Sequence, residues 1–114
     1  MLDKKRAAKN STLLRNYGIT IEEWEAKREE QGNVCFICKT LPGKGILCTD
    51  HIHVKGYDKL PKEEKKKYVR GLLCFLCNTA LRVYERTGNG ERNRQMLEGT
   101  VEYFQKYKIK GEAI

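Results

Sequence analysis

Four residues near the middle of the chain have side chains that suit acid–base and metal chemistry. The sequence holds only two histidines, His51 and His53, and both lie in the run Thr49-Asp50-His51-Ile52-His53. Residues two apart on a β-strand face the same side, so both imidazoles would line one surface while Asp50 faces away. A bulge, a local twist or a position at the strand end would bring Asp50 to that surface. The fourth residue is Asn78, which directly follows the last cysteine.

This set of side chains suits the hydrolysis of a phosphodiester. A neutral imidazole, whose ordinary pKa is about 6.5, can take a proton from water near neutral pH. Carboxylate and amide oxygens can bind a hard divalent cation such as Mg²⁺, which would neutralise charge at the scissile phosphate. Structural interpretations stay open as well. Asp50 and His51 can form a solvated strand end, His53 can be a buried or zinc-bound histidine, and Asn78 can be a helix cap.

Four of the five cysteines form two Cys-x-x-Cys pairs, Cys35/Cys38 and Cys74/Cys77. The amino-terminal residues lack the apolar stretch of a secretory signal, which favours an intracellular, cytoplasmic and reducing location. There, two pairs at this spacing predict a four-thiolate zinc site, with two accidental redox motifs as the alternative. Such a closed site has no position for water, so the zinc would be structural and catalysis would need another cation. Cys48 is expected to be a small buried residue in a strand.

The composition favours a polyanion as the partner. The chain has 114 residues, with 23 Lys and Arg against 15 Asp and Glu, and a net charge of +8. No apolar run is long enough to span a membrane, and a chain this short forms at most one small domain that gains stability from a metal. Residues 1–16 and 55–70 each carry a net charge of +4. The positive charge is therefore concentrated in an amino-terminal arm and a middle insertion.

Local signals predict the helices that precede the histidines. A basic helix over Leu2–Asn16 would end at Gly18, because glycine adopts the left-handed conformation that stops a helix. Thr20 and Glu23 form a capping box, which predicts a second helix that stops at Gly32.

The elements around the candidate site are two strands and a helix, predicted over Ile46–Val54, Val69–Leu73 and Asn78–Thr87. Between the strands, Gly56–Tyr68 is rich in lysine and is expected to be a surface loop with one helical turn after Pro61. The central unit is therefore two strands followed by a helix, with zinc cysteines at both ends.

The chain is expected to be a small α+β protein in three parts. These are a basic helical arm (1–16), a zinc-bound central domain (17–88) with a basic insertion (55–68), and a carboxy-terminal amphipathic helix (89–114). That last helix carries a stripe of Leu97, Val101 and Phe104, which predicts core packing or a subunit contact and leaves a homodimer open.

Taken in order, these motifs resemble the recombination endonuclease VII family, within the His-Asn-His, or ββα-metal, nuclease superfamily. The matching segments are Tyr17-Gly18-Ile19-Thr20, Glu22-Glu23-Trp24, Gln31-Gly32-Asn33-Val34-Cys35-Phe36-Ile37-Cys38, Asp50-His51-Ile52-His53 and Val69-Arg70-Gly71-Leu72-Leu73-Cys74-Phe75-Leu76-Cys77-Asn78. The ordered combination is specific, although each piece alone is not. The resemblance implies a ββα-metal core stabilised by the four-cysteine zinc site, with flanking helices.

The resemblance also implies a role for each matching residue. The four paired cysteines would hold a structural Zn²⁺, and Asp50 and Asn78 would bind a catalytic Mg²⁺ or Mn²⁺. His51 would be the general base that activates water, and His53 would contact the scissile phosphate or assist the base. Arg70 would position a phosphate. Such enzymes insert the ββα element into the DNA minor groove and cut one strand per active site.

Two features depart from the family pattern. The loop that precedes the Arg-Gly-Leu-Leu-Cys stretch is usually short, whereas here it extends over Lys55–Tyr68 and is strongly basic. We expect it to contact phosphate, with a surface insertion that binds nothing as the alternative. The predicted DNA contacts are Lys4, Lys5, Arg6, Lys55, Lys65, Lys66, Lys67 and Arg70. The region after residue 82 is short for a dimerising extension, so nicking of duplex DNA and resolution of branched DNA both stay open.

The sequence therefore favours a metal-dependent DNA endonuclease, encoded by a phage or another mobile element. A zinc-stabilised DNA-binding module without catalysis explains the charge and the cysteines equally well. It does not explain why the candidate acid–base and metal residues occur together. A zinc-held domain that binds a partner through the carboxy-terminal helix leaves the net charge of +8 without a purpose.

Overall fold

The computed structural model describes residues 3–41 and 46–108 and shows a small α+β protein. The chain divides into two compact units, Met1–Asn78 and Thr79–Ile114. The described elements are α1 (Lys4–Tyr17), α2 (Ile21–Glu30), β1 (Cys48–His51), a 3-10 turn (Tyr57–Lys59), α3 (Lys62–Lys66), β2 (Val69–Leu73), α4 (Phe75–Glu85) and α5 (Gly90–Tyr107). Leu2, the predicted first residue of the first helix, and residues 109–114 lie outside the described ranges.

The helices α1 and α2 form where the local signals predict them. The Asp3 carboxylate accepts a hydrogen bond from the Lys5 N–H (3.1 Å), and α1 ends at Gly18 in the left-handed conformation (φ 71°). The capping box of α2 is complete. Thr20 Oγ1 accepts from the Glu23 N–H at 3.1 Å, and Glu23 Oε1 accepts from the Thr20 N–H at 3.0 Å.

The strands β1 and β2 form a two-stranded antiparallel sheet with an irregularity at Asp50. The register runs Cys48↔Leu73, Thr49↔Leu72 and then His51↔Val69. Two residues of β2, Arg70 and Gly71, therefore face the single residue Asp50, which is the pattern of a β-bulge. Thr49 and Asp50 are neighbours yet both are buried, at 8% and 5% exposed. A regular strand would have placed one of the two outside.

The first strand is shorter than the predicted Ile46–Val54, because regular pairing ends soon after the bulge. One further backbone hydrogen bond runs from the Ile52 N–H to the Tyr68 carbonyl (2.8 Å). The chain then leaves the sheet towards the 3-10 turn. His53 consequently lies just past the strand end, in an exposed position.

The outer edge of β2 is paired with the side chain of Gln31, at the end of α2. Gln31 Oε1 accepts from the Leu72 N–H (2.9 Å), and its Nε2 donates to the carbonyl oxygens of Leu72 (2.9 Å) and Val34 (3.0 Å). The amide thus satisfies the backbone groups that a third strand would have paired. Gly71 permits this approach, since a Cβ there would lie 3.1 Å from Gln31 Oε1.

The insertion, residues 55–68, is ordered by contacts with α1. The Tyr57 hydroxyl donates to the Asn16 carbonyl (2.8 Å), and Lys65 Nζ donates to the Arg15 carbonyl (2.9 Å). Both carbonyls belong to the last turn of α1, where backbone oxygens have no partner within the helix. The loop expected from its lysine content is therefore a docked segment, although the predicted helical turn after Pro61 is present as α3.

The buried apolar side chains of the described residues all belong to the first unit. They are Leu13, Ile19, Ile21, Trp24, Cys35, Leu47, Tyr57, Leu72 and Leu73. In the second unit, α5 begins at the cap residue Asn89 and carries the predicted stripe of Leu97, Val101 and Phe104, each nearly half exposed. None of the described helices is long and apolar enough to cross a membrane.

Candidate functional site

The two Cys-x-x-Cys pairs meet in one cluster. Cys35 and Cys38 lie in the turn after α2, Cys74 follows β2, and Cys77 is in the first turn of α4. Their four sulfur atoms all lie within 4.8 Å of one another, and the sulfurs of Cys38 and Cys74 are 3.9 Å apart. Zinc–sulfur bonds of about 2.3 Å in a tetrahedron require sulfur–sulfur separations of about 3.8 Å. The cluster therefore has the size and the ligand set of a four-thiolate metal site.

Backbone turns hold these sulfurs in place. The Cys35 N–H donates to the Thr40 carbonyl (3.0 Å), and the Lys39 N–H donates to the Cys35 carbonyl (3.0 Å). In the second pair, the Cys77 N–H points at Cys74 Sγ (3.4 Å). Both arrangements involve only a few consecutive residues, so the local backbone shapes each pair.

The pKa values of the thiols diverge across the cluster. A hydrogen bond with the Thr40 hydroxyl (2.9 Å) lowers the pKa of Cys38 to about 6, whereas burial raises the pKa of Cys77 to about 12. Cys38 is therefore ready to bind a metal as a thiolate near neutral pH. Binding at Cys77 requires a cation strong enough to displace its proton, which is typical of zinc–thiolate sites.

Asp50 is fixed by an ion pair with Arg70 across the bulge. Arg70 Nε lies 2.6 Å from Asp50 Oδ2, and Arg70 Nη2 lies 3.1 Å from Asp50 Oδ1. The same Nη2 approaches the His51 carbonyl at 3.4 Å. This two-point contact sets the plane of the carboxylate. Arg70 was predicted to contact a phosphate, and in the structure its guanidinium holds the buried aspartate.

The two histidines lie side by side, although His53 lies past the end of β1 and not on the strand that the sequence predicted for both. The ring centroids of His51 and His53 are 4.6 Å apart. His51 is half-buried and also stacks on the ring of Tyr57, with centroids 4.2 Å apart and planes 18° apart. Tyr17 lies at 5.8 Å from the same imidazole. Because His53 is exposed and the cysteines form their own cluster, His53 is neither a buried core histidine nor a fifth zinc ligand.

Asn78 lies within the first turn of α4, where its N–H donates to the Cys74 carbonyl (3.0 Å). It therefore does not cap that helix, which removes the structural interpretation left open by the sequence. The cysteine cluster fixes the backbone of Asn78, since Cys74 and Cys77 both precede it in the same turn.

Five of the basic residues predicted to contact DNA are exposed: Lys4, Lys5, Lys55, Lys66 and Lys67. Five of the predicted residues make contacts within the protein: Arg6 with Glu25 (2.7 Å), Lys66 with Glu23 (2.5 Å), Lys67 with Glu64 (3.0 Å), Arg70 with Asp50, and Lys65 with the Arg15 carbonyl. Lys65 is only 9% exposed, so its assignment as a DNA contact is replaced by a structural one.

Two residues near the site were not identified from the sequence. Tyr57, which contacts His51, lies in the segment that lysine content marked as a surface loop. Gln31, which fixes the edge of β2, lies in the segment that resembles the family, and its role follows only from its hydrogen bonds to Leu72. The signal available for Tyr57 is that it is one of two tyrosines in a lysine-rich insertion, the other being Tyr68.

Comparison with known proteins identifies a matching family model and two similar phage proteins. The family model described as recombination endonuclease VII matches residues 10–106. Two phage proteins, each named Gene 59 protein, are similar to the chain. The protein of Mycobacterium phage D29 is 36% identical over an alignment of 107 residues that covers 89% of this chain and 55% of that protein. The protein of Mycobacterium phage L5 is 39% identical over an alignment of 79 residues that covers 64% of this chain and 42% of that protein. This chain thus spans about half the length of these relatives, and no solved structure gives a significant match.

Proposed function

This chain belongs to the recombination endonuclease VII family, and we propose that it is a metal-dependent DNA endonuclease that hydrolyses phosphodiester bonds. The observation that carries the proposal is the pairing of His51 with His53 beside the buried Asp50, on a sheet edge fixed by the bulge. The order β1, β2, α4 supports a ββα-metal core of the HNH type.

The cysteine cluster supports a structural Zn²⁺. Its sulfur separations match a tetrahedral site, and its four ligands leave no position for water. We assign Cys35, Cys38, Cys74 and Cys77 to holding the zinc, which joins the turn after α2 to β2 and α4.

Asp50 and Asn78 fit a catalytic Mg²⁺ or Mn²⁺ by the chemistry of their oxygen atoms. Each carboxylate oxygen of Asp50 has lone pairs for more than one contact, so it can bind a cation while it accepts from Arg70. Such a cation, when bound, would neutralise charge that develops on the scissile phosphate. Arg70 would keep the carboxylate oriented, and the zinc cluster would fix Asn78 at the start of α4.

His51 would act as the general base. Its neutral imidazole would take a proton from the attacking water, and His53 would donate a hydrogen bond to the phosphate or assist the base. The two carboxylate oxygens of Asp50 accept from Arg70, and the ring contacts of His51 with Tyr57 and His53 help to orient the imidazole.

The experiment that tests this function is incubation of the protein with supercoiled plasmid in Mg²⁺, in Mn²⁺ or in EDTA. We expect conversion to open circle with a divalent cation and none in EDTA, whereas a gel shift should occur in both. DNA that is bound but never cut under either cation would favour the alternative, a non-catalytic zinc-stabilised DNA-binding module.

The exposed lysines Lys4, Lys5 and Lys55 are expected to supply affinity through phosphate contacts. Replacing all three by glutamine should weaken binding to duplex DNA and flatten its dependence on salt, by about 0.9 in the log–log slope for each lost contact. The measurement is fluorescence anisotropy across a range of NaCl concentrations. The control carries Lys27, Lys106 and Lys108 as glutamine, which removes the same charge elsewhere. Equal slopes for the two triple variants would show that net charge alone matters.

The proposal extends to the location of the enzyme and to its oligomeric state. Since the similar proteins are encoded by phages, the enzyme would act on DNA in the host cytoplasm. The exposed stripe on α5 would suit a homodimer, which two coordinated cuts in branched DNA require, while a monomer would nick duplex DNA. Cleavage of a cruciform plasmid compared with a linear duplex would separate these two activities.

A further inference from the structure

We infer that the insertion, residues 55–68, positions the general base, and that Tyr57 is the residue through which it acts. The inference rests on the proposed function of His51. It gives the insertion a purpose that differs from the phosphate contact expected from its lysines. The contacts that support it join three parts of the first unit: the last turn of α1, the insertion and the end of β1.

The stack of Tyr57 on His51 fixes the plane of the imidazole without using its nitrogens. The two rings are nearly parallel, with an angle of 18° and a centroid distance of 4.2 Å. The nitrogen atoms of an imidazole lie in the ring plane, so a contact on the flat face leaves both edges open to hydrogen bonds. A residue that holds a base by this face can orient it while the base still exchanges protons.

Tyr57 is itself held firmly, which a positioning residue must be. It is 8% exposed, and its hydroxyl donates to the Asn16 carbonyl in the last turn of α1 (2.8 Å). The edge of its ring meets Tyr68 at a centroid distance of 6.4 Å, and Lys65 Nζ lies 5.5 Å from its centre. The rotamer of Tyr57 is thus determined by groups from three segments.

The docking of the insertion on α1 connects the end of that helix to His51. Lys65 donates to the Arg15 carbonyl, one residue before the carbonyl that Tyr57 uses. Gly18 allows the close approach, since a Cβ at this position would collide with the Lys62 carbonyl oxygen. The end of α1, through the insertion, therefore fixes the ring that stacks on His51.

The direct test compares Tyr57→Leu with Tyr57→Phe. The leucine variant loses the stack, and a misplaced base should lower kcat by about 10- to 100-fold with KM for DNA within about twofold of wild type. The phenylalanine variant keeps the ring and loses only the hydroxyl bond, so it should retain most of kcat. Equal kcat for Tyr57→Leu and wild type, or equal losses in both variants, would overturn the inference.

A spectroscopic readout does not depend on activity. The ring current of Tyr57 should move the carbon-bound ring protons of His51 upfield in the NMR spectrum, and Tyr57→Leu should remove that shift. Assignment is simple because the chain has two histidines and His53→Gln leaves one. If the wild type fails to cut DNA, the proposed function is wrong. If the wild type cuts DNA but the ring protons of His51 show no upfield shift, only the role of Tyr57 is wrong.

A second pair of variants tests the inference if Tyr57→Leu does not fold. Gly18→Ala introduces a collision with the insertion, whereas Gly32→Ala introduces a Cβ with nothing within 4 Å. Both glycines have a similar positive φ, 71° and 73°, so the backbone strain is matched. We expect kcat to fall in Gly18→Ala and to remain near that of wild type in Gly32→Ala. The same kcat in both would show that docking of the insertion does not influence the base.

Discussion

Replacing His51 by alanine is expected to abolish the conversion of supercoiled plasmid to open circle. A positioned general base contributes about 10²- to 10⁴-fold to the rate, so turnover should fall by at least about 100-fold. DNA binding in EDTA should remain, because the exposed lysines and not the imidazole supply the attraction to phosphate. The measurement is the initial rate of nicking at saturating Mg²⁺, with a gel shift on the same preparation.

The matched control for this variant is His53→Ala. It removes the same side chain two residues away and leaves the stack between His51 and Tyr57 intact. If His53 assists, the rate should fall by less than in His51→Ala, and far-ultraviolet circular dichroism should match the wild type in both. Robust nicking by His51→Ala, or a greater loss in His53→Ala, would move the role of base away from His51.

The four-cysteine cluster could be predicted from the sequence because paired cysteines at this spacing are rare, and the candidate acid–base residues could be proposed because they are few. The chain of 114 residues contains two histidines, two Cys-x-x-Cys pairs and an asparagine after the last cysteine. These few residues favour zinc binding and acid–base chemistry over other kinds of site. The capping box at Thr20 and Glu23 was predictable for a different reason, since a helix start is decided by four consecutive residues. Both kinds of signal are local.

The orientation of Asp50 could not be predicted, because it depends on pairing between distant strands. The bulge arises where Arg70 and Gly71 of β2 face one residue of β1, and neither strand alone specifies that register. The alternatives open from the sequence included such a bulge, but a regular strand with Asp50 facing outward fitted the pattern equally well. The structure settles this point through the ion pair with Arg70.

The insertion is largely exposed, as its lysine content predicted, but two of its residues, Tyr57 and Lys65, are buried because they dock on the end of α1. Lys65 buries its aliphatic stem and places its ammonium on the Arg15 carbonyl at the end of α1, where the helix dipole favours a positive charge. The same helix end accepts the hydroxyl of Tyr57. The carbonyl groups at the end of α1 thus bind and order the insertion, and the composition of the insertion alone does not predict this contact.

Substitution of Cys74 by serine is expected to unfold the first unit. A structural zinc contributes apparent binding free energy of about 10–16 kcal/mol, comparable to the whole stability of a small domain at about 5–15 kcal/mol. Cys74 lies between β2 and α4, so its loss separates the sheet from the helix that carries Asn78. The variant should bind no zinc and should lose most of its helical circular dichroism and its nicking activity.

Cys48→Ser provides the control, because Cys48 is half-buried in β1 and lies outside the four-sulfur cluster. It removes a thiol from the same sheet, and we expect one zinc per chain and a cooperative urea transition close to that of the wild type. The comparison separates loss of a metal ligand from loss of a buried thiol. A folded Cys74→Ser protein without zinc would contradict the structural role of the metal. Unfolding of both variants would show that the first unit tolerates neither substitution, and it would contradict the assignment of the effect to the metal.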